Sequence, residues 1–380
     1  MIRVISIGTD KNIFNPYSAA TKRMVEYGSI FGELHVIVFT DQIDGLEPYA
    51  LSSNVFVYPT KSIGKMKCII DAIRIGKMIG SRVYFGQTVL SVQDPFETGI
   101  VGVVLKRKFK FPLQIQIHTD FYSRGFYDGT LLNWVRFEIS RFVIPRGDAF
   151  RVVREKIASD LSEHYKIKQS KILTLPIWVD IVGIQSKLVT VNLRNKYKQF
   201  NGIILSISRL AEEKNIDLII KAFGKVSKKF PQAGLVILGS GPEGFKLQNL
   251  VKKLDLTQRV IFEDWQQDPI SYMKTADLFV NASRFEGYGM TIIEAAAAEC
   301  PILTTKVGVV EDIFEDHKDA YICNTADEQC FVNNMISFLE NPRFQSGVTK
   351  SALEKVKALA ITKEEYLNLY KVAVEKTLMK

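Results

Sequence analysis

Short apolar runs alternate with stretches of helical spacing along almost the whole chain. In the first half the runs predict strands at Arg3–Gly8, Leu34–Phe39, Val55–Tyr58, Arg82–Phe85, Leu113–Ile117, Asp148–Val152 and Ile172–Leu175. Between them, helical patterns fall near Ala19–Ile30, Met66–Ile79, Phe96–Lys106, Leu131–Ile144 and Glu155–Tyr165. β-rich runs alternating with helices imply parallel sheets covered on both faces. The rhythm breaks over residues 180–200, which are read as a linker. A second set then begins, with strands near Gly202–Ile207, Ala233–Leu238, Val260–Glu263, Asp277–Val280, Pro301–Thr304 and Ala320–Cys323. From Glu328 onward the pattern is mostly helical. The expectation is an α/β protein of two doubly wound, Rossmann-like units, residues 1–180 and 200–360. Ligands of open α/β sheets bind past the carboxyl ends of the strands, so the site is expected in a cleft between the units.

At 380 residues the chain is long for one core, which agrees with two domains. Apolar content of 47% and charged content of 24% are ordinary for a globular protein. No apolar window is long enough for a transmembrane helix, and the start reads as a strand rather than a signal peptide. The four cysteines, Cys68, Cys300, Cys323 and Cys330, have no metal spacing and are expected as reduced thiols, with a cytoplasmic location. Net charge is +9, of which residues 1–180, with 24 Lys and Arg against 17 Asp and Glu, supply +7. A basic first half points to an anionic partner.

Chemistry concentrates after the strand that ends at Val280. A polar loop carries Glu286 between Phe285 and Gly287. Gly289 opens a helix holding Glu294 and the run Ala295–Ala298, and Pro301 stops it. Strand, Gly-rich loop and helix N-terminus together suit an anion, because the first helical N–H groups are unpaired. Two carboxylates beside such a place suggest a ligand with both phosphate and hydroxyls, as a nucleotide sugar has. Upstream, Arg209 and Lys214 follow the strand Gly202–Ile207 and can both reach one diphosphate, Arg as a fork and Lys as a point charge. The same pattern also describes a solvated helix start. Gly239-Ser240-Gly241-Pro242 follows the strand Ala233–Leu238 and is either a ligand-approach loop or a tight turn. In the first half, His118 and the weaker candidate Asp120 end the strand Leu113–Ile117.

In this order (Arg209 and Lys214, Gly239 to Pro242, Glu286 to Gly289, Glu294, then Pro301 and Gly308) the chain resembles the family 4 glycosyltransferases with the GT-B fold. The similarity is strong over residues 202–323 and in outline elsewhere. It implies a retaining hexosyltransferase that uses a UDP- or GDP-linked sugar. Residues 200–360 would bind the donor, and residues 1–180, with a C-terminal helix of about 361–380 crossing back, the acceptor. Carried over by position, Arg209 and Lys214 hold the donor diphosphate, Glu286 contacts the sugar, and Glu294 binds the ribose hydroxyls. The backbone from Gly287 through Tyr288, Gly289 and Met290 to Thr291 lies near sugar and phosphate. Gly8 belongs to the first loop, and His118 stands near the transferred sugar. No cofactor and no metal are expected, and no Asp-x-Asp occurs in the chain. The chain departs from the family at Phe14-Asn15-Pro16-Tyr17-Ser18, at Pro176-Ile177-Trp178-Val179-Asp180 and at Trp265.

Basic segments with apolar and aromatic residues give the excess charge an address. They are residues 61–82, Lys106-Arg107-Lys108-Phe109-Lys110-Phe111, and the run holding Trp134, Phe137 and Phe142 with Arg136, Arg141 and Arg146. Such segments can lie on an anionic membrane, which suits a lipid-linked acceptor or a glycan precursor and a peripheral location on the cytoplasmic face. They can equally be solvated helix faces. The rival functions are a nucleotide-sugar epimerase of the same fold and a non-catalytic nucleotide-sugar binder. No nucleic-acid module is present to support nucleic-acid binding.

Overall fold

Fully apolar strands cannot face water on either side, so each run folds into a parallel sheet between helices. The computed structural model describes residues 1–127, 129–341 and 346–379. It divides into two units, Met1–Pro176 with Thr362–Lys380, and Ile177–Ile361.

The first unit runs β1 (Ile2–Gly8), α1 (Ala19–Ser29), β2 (Glu33–Val38), β3 (Tyr49–Ser52), β4 (Val55–Pro59), α2 (Lys65–Gly80) and β5 (Gln87–Val92). It continues through α3 (Glu97–Phe109), β6 (Leu113–Ile117), α4 (Arg124–Tyr127), α5 (Leu131–Val143), β7 (Ala149–Val152), α6 (Glu155–Tyr165) and β8 (Ile172–Thr174). The sheet order is β3-β4-β2-β1-β5-β6-β7-β8, parallel except for the edge pair β3–β4. β1 is central, in register with β2 up to Gly8↔Val38 and with β5 up to Ile7↔Val92. Right-handed crossovers put α2, α3, α5 and α6 on one face and α1 on the other.

The second unit holds α7 (Ile181–Ser186), α8 (Leu193–Lys196), β9 (Gly202–Ile207), α9 (Ile216–Lys229), β10 (Ala233–Leu238), α10 (Gly244–Lys253) and β11 (Val260–Glu263). Then come α11 (Pro269–Thr275), β12 (Leu278–Asn281), α12 (Met290–Ala297), β13 (Ile302–Thr305), α13 (Val310–Ile313), β14 (Tyr321–Cys323), α14 (Glu328–Glu340) and α15 (Ser346–Lys357). Its six parallel strands are ordered β11-β10-β9-β12-β13-β14. The core joins Ile204, Leu235 and Val280 of the sheet to Phe223 of α9 and to Phe331 and Met335 of α14. α16 (Lys363–Glu375) returns to the first unit, as the resemblance implies. It starts at a capping box formed by Thr362 and Glu365. Residues 342–345 and Lys380, within the stretch expected to be helical, lie outside the described residues.

Three expectations are corrected. Residues 180–200 are no free linker: Asp180 and Asn192 cap α7 and α8, and both helices belong to the second unit. The chain passes between units at Pro176 and again at Ile361. Arg82–Phe85 is not a strand, since Val83 and Phe85 are exposed. The strand is Gln87–Val92, whose polar Thr88 and Ser91 disguise it but bond to Arg3 and Gln116. Finally, Cys323 and Cys330 form a disulfide with Cα atoms 5.8 Å apart, because the first turn of α14 folds back over the end of β14. Cys68 and Cys300 are free and buried.

Candidate active site

In the second unit the loops after several strands converge on one carboxylate. β9 ends at Ile207, and the chain turns through Arg209 and Leu210 into a single 3-10 turn, Glu212–Lys214. Lys214 points inward, and its Nζ lies 2.6 Å from Glu286 Oε1. The same oxygen accepts from Ser283 Oγ at 2.7 Å. The side chains of the pair are 19% and 12% exposed, so neither charge is well hydrated without the other.

Backbone hydrogen bonds lace these loops together. Leu210 N–H donates to Ser240 O at 2.9 Å, Arg284 N–H to Glu213 O at 2.8 Å, and Val309 N–H to Tyr288 O at 2.7 Å. Close approach explains two of the glycines. Gly239 has φ 140°, and a Cβ there would run into the Ser208 carbonyl. Gly308 has φ 58°, and its Cβ would lie 2.6 Å from Tyr288 O and 2.8 Å from the Glu286 Cβ. Gly241 packs on the backbone of Leu210 in the same turn. Beside Gly239, the buried hydroxyl of Ser208 has no partner among the described residues.

The loop from Glu286 through Gly287 and the buried Tyr288 enters α12 at Gly289, which has φ 93° and offers no side-chain cap. Met290 and Thr291 follow as the first helical residues, so the positive end of α12 is open to an anion. Glu294 stands one turn further on. Burial pushes its carboxyl up to about 7. Arg209 does not join Lys214 and Glu286: its side chain is exposed and pairs with Glu213 of its own turn.

In the first unit, Gly8 and His118 end β1 and β6, two strands flanking β5. His118 is half-buried, and its Nε2 lies 3.2 Å from Gln116 Oε1. Burial and the guanidiniums of Arg151 and Arg23 hold its imidazole far below the usual value. Asp120 is buried and salt-bridged to Lys156, which gives it a structural task. Among the described residues no group of three or more His, Cys, Asp or Glu is placed to hold a metal ion.

Residues 192–355 match the family described as glycosyl transferases group 1. This part of the chain is a group 1 glycosyltransferase domain. The family 4 resemblance is thereby borne out. Alpha-monoglucosyldiacylglycerol synthase of Streptococcus pneumoniae is 26% identical over 57% of this chain and 51% of its own length. The first three curated relatives are matched over only 51–62% of their lengths. Among solved structures, sucrose-phosphate synthase from Thermosynechococcus elongatus superposes with TM-score 0.81 at 16% identity, covering 98% of both chains. The Anabaena protein HepE, solved with UDP-glucose, gives TM-score 0.72 at 14% identity over 98% of both. These likenesses place the two units in the GT-B fold. The epimerase alternative finds no support among the relatives.

Several partners of the candidate site residues were missed in the sequence. Ser283 hydrogen-bonds Glu286, and a hydroxyl three residues before a carboxylate was the available signal. Gln116 and Arg151, which surround His118, were signalled only by polar residues alternating inside a buried strand.

Proposed function

We propose that the chain moves a hexosyl unit from a UDP-linked sugar to a hydroxyl of a lipid-linked acceptor, with retention. The observation that carries this is the Lys214–Glu286 pair at the mouth of the parallel sheet, next to the uncapped start of α12. Breaking the sugar–phosphate bond leaves negative charge on the diphosphate and positive charge on the sugar. On this reading Lys214 and the α12 N–H groups would stabilise the first charge, and Glu286 the second. On this reading Arg209 exchanges Glu213 for phosphate when the donor binds. Glu294 takes the ribose hydroxyls, and the backbone from Gly287 to Thr291 borders sugar and phosphate. Positive charge from these groups lets the reaction proceed without a metal.

UDP is preferred to GDP because HepE was solved with UDP-glucose. A lipid acceptor is preferred because a relative is named as a synthase of a glucosyldiacylglycerol. Peripheral membrane attachment agrees with the outer faces of α2 and α5. There Met66, Ile70, Leu131, Trp134 and Phe142 are exposed among Lys67, Lys77 and Arg141. Phe137, in contrast, turns inward to the rings of Tyr122 and Tyr127. Among the described residues no helix is long and apolar enough to cross a membrane.

The test is transfer from a panel of UDP- and GDP-sugars to lipid acceptors. Glu286→Gln and Lys214→Ala should each lower turnover by about 10²–10³-fold. Circular dichroism should show both still folded. Near-normal turnover in either folded variant would remove the assignment.

A further inference from the structure

β14 is the edge strand of the second sheet, three residues long, and pairs with β13. Its last residue, Cys323, is buried and joined through sulfur to Cys330 in the first turn of α14. α14 is itself anchored, since Phe331, Met335 and Phe338 belong to the core beside Phe223 of α9. The disulfide therefore ties the end of a short edge strand to a helix fixed in the core. The turn between the two cysteines is exposed over residues 324–327. Its Ala326 has φ 70°, a left-handed conformation that disfavours any residue with a Cβ.

Two features distinguish this disulfide from an inert crosslink. Cys330 is half-exposed, so a thiol in solution can approach it. Asn334, one helical turn further on, aims its side-chain amide at the pair. Its Nδ2 lies 3.0 Å from Cys330 O, which only accepts, so this is the NH₂ end. The same nitrogen lies 3.3 Å from Cys330 Sγ and 3.7 Å from Cys323 Sγ. A thiolate accepts such a hydrogen bond more strongly than a disulfide sulfur does, so the amide favours breaking the bond. The corner is also connected to the candidate site. Cys323 O accepts from Lys306 N–H at 3.0 Å, and Cys323 stands in register with Thr305 of β13. Thr305 Oγ1 donates to Ser283 O at 2.6 Å, and Ser283 Oγ donates to Glu286.

We propose that Cys323 and Cys330 form a thiol–disulfide exchange site for a dithiol reductant, and that its opening frees the end of β14 and loosens the Thr305–Ser283 contact behind Glu286. A thiolate of the dithiol attacks Cys330 Sγ and the S–S bond breaks. Cys323 leaves as a thiolate beside the Asn334 amide and takes a proton. The second thiol of the reductant then attacks the mixed disulfide, closes the reductant's own disulfide and releases Cys330 as a thiol. Two electrons pass from the dithiol to the protein, and the two protons the dithiol gives up are matched by those the cysteines gain. The oxidised form is the one that holds Glu286 in place. The effect on turnover rests on the transferase reading above, and the exchange itself does not.

Alkylation of the folded, full-length protein with iodoacetamide, read by peptide mass spectrometry, follows the bond directly. Before reduction Cys323 and Cys330 should stay unmodified. After millimolar dithiothreitol both should be alkylated, Cys323 included because the strand end has come free. The buried Cys68 and Cys300 should stay unmodified throughout. The reduced protein should melt roughly 5–10 °C lower. Its kcat/KM should fall about tenfold and return on reoxidation with oxidised glutathione. Cys323→Ser with Cys330→Ser should show the low value with or without reductant. Thr305→Val keeps the disulfide and breaks its link to Ser283, so alkylation should match the wild type while kcat/KM loses its dependence on reduction. A bond that resists dithiothreitol in the folded protein, or alkylation confined to Cys330, would overturn the proposal. So would alkylation of both cysteines with kcat/KM unchanged. Alkylation of both without transfer from any donor in either redox state supports the exchange site and refutes the transferase reading instead.

Discussion

Glu286 and Glu294 share one loop and helix yet live in opposite environments. Glu286 has Lys214 Nζ and Ser283 Oγ within 2.7 Å, one as an ion-pair partner and the other as a hydrogen-bond donor. Glu294 is buried on α12, and burial alone is the cause of its raised carboxyl, near 7. The sign follows from proton counting. Between the ordinary glutamate range and about 7 the folded chain holds a proton that the unfolded chain has lost. Stability is therefore highest below that interval and falls as pH rises through it. Urea unfolding of the unliganded protein should show a loss between pH 5 and pH 7.5 that Glu294→Gln removes. A variant with the same pH slope as the wild type would show that Glu294 ionises freely. Ribose hydroxyls would supply the missing donors, so UDP binding near neutral pH should release protons, measurable by calorimetry in buffers of different ionisation enthalpy.

At the scale of elements, α16 supplies what the first sheet cannot supply for itself. Tyr370 stacks on Tyr27 with ring centroids 4.1 Å apart and accepts from Gln116, while Tyr366 OH accepts from Arg151 Nη2 at 2.9 Å. Tyr370→Ala removes a buried ring and leaves a buried amide short of a partner. It should lower the unfolding free energy by about 3–5 kcal/mol in urea titrations. A loss below about 1 kcal/mol, the size of an ordinary surface change, would mean that α16 is dispensable to the sheet. This dependence also shows what can be read from a sequence. β9, β10 and β11 were legible to the residue because each is an apolar run ending in a glycine or charged turn. The Glu286 loop was legible because strand, glycines and helix start are contiguous. His118 was legible as a strand-end polar residue, but its partners were not, since Arg151 lies 35 residues from Gln116 and Tyr370 lies 254 away. β5 was displaced because Thr88 and Ser91 interrupt its apolar pattern, while the exposed Val83 and Phe85 imitate a strand. The role of Arg209 depends on which carboxylate or phosphate is nearest, and no spacing encodes that.

For the whole molecule the governing fact is charge: +7 of the net +9 lies in the first 180 residues. On α2, Lys67 and Lys77 share the exposed face with Met66 and Ile70, and on α5 Trp134 and Phe142 share theirs with Arg141. Arg146 adds a guanidinium 3.8 Å over the Phe142 ring. Exposed apolar side chains among cations suit the boundary of an anionic bilayer, where the rings enter the headgroup layer and the cations meet phosphate. Each cation near such a surface contributes about 1 kcal/mol, and salt screens that attraction within roughly 8 Å at physiological strength. Two tests separate the charge from the apolar part. The protein should sediment with vesicles containing anionic phospholipid and leave them at high salt, and Lys67→Glu with Lys77→Glu should weaken binding by at least tenfold. Trp134→Ser with Phe142→Ser should weaken it while leaving the salt dependence in place, since those side chains act through burial. Equal recovery on neutral and anionic vesicles would end the electrostatic account. Full binding by the Trp134 and Phe142 variant would remove α5 from the contact and leave the basic face of α2 as the surface that meets the lipid.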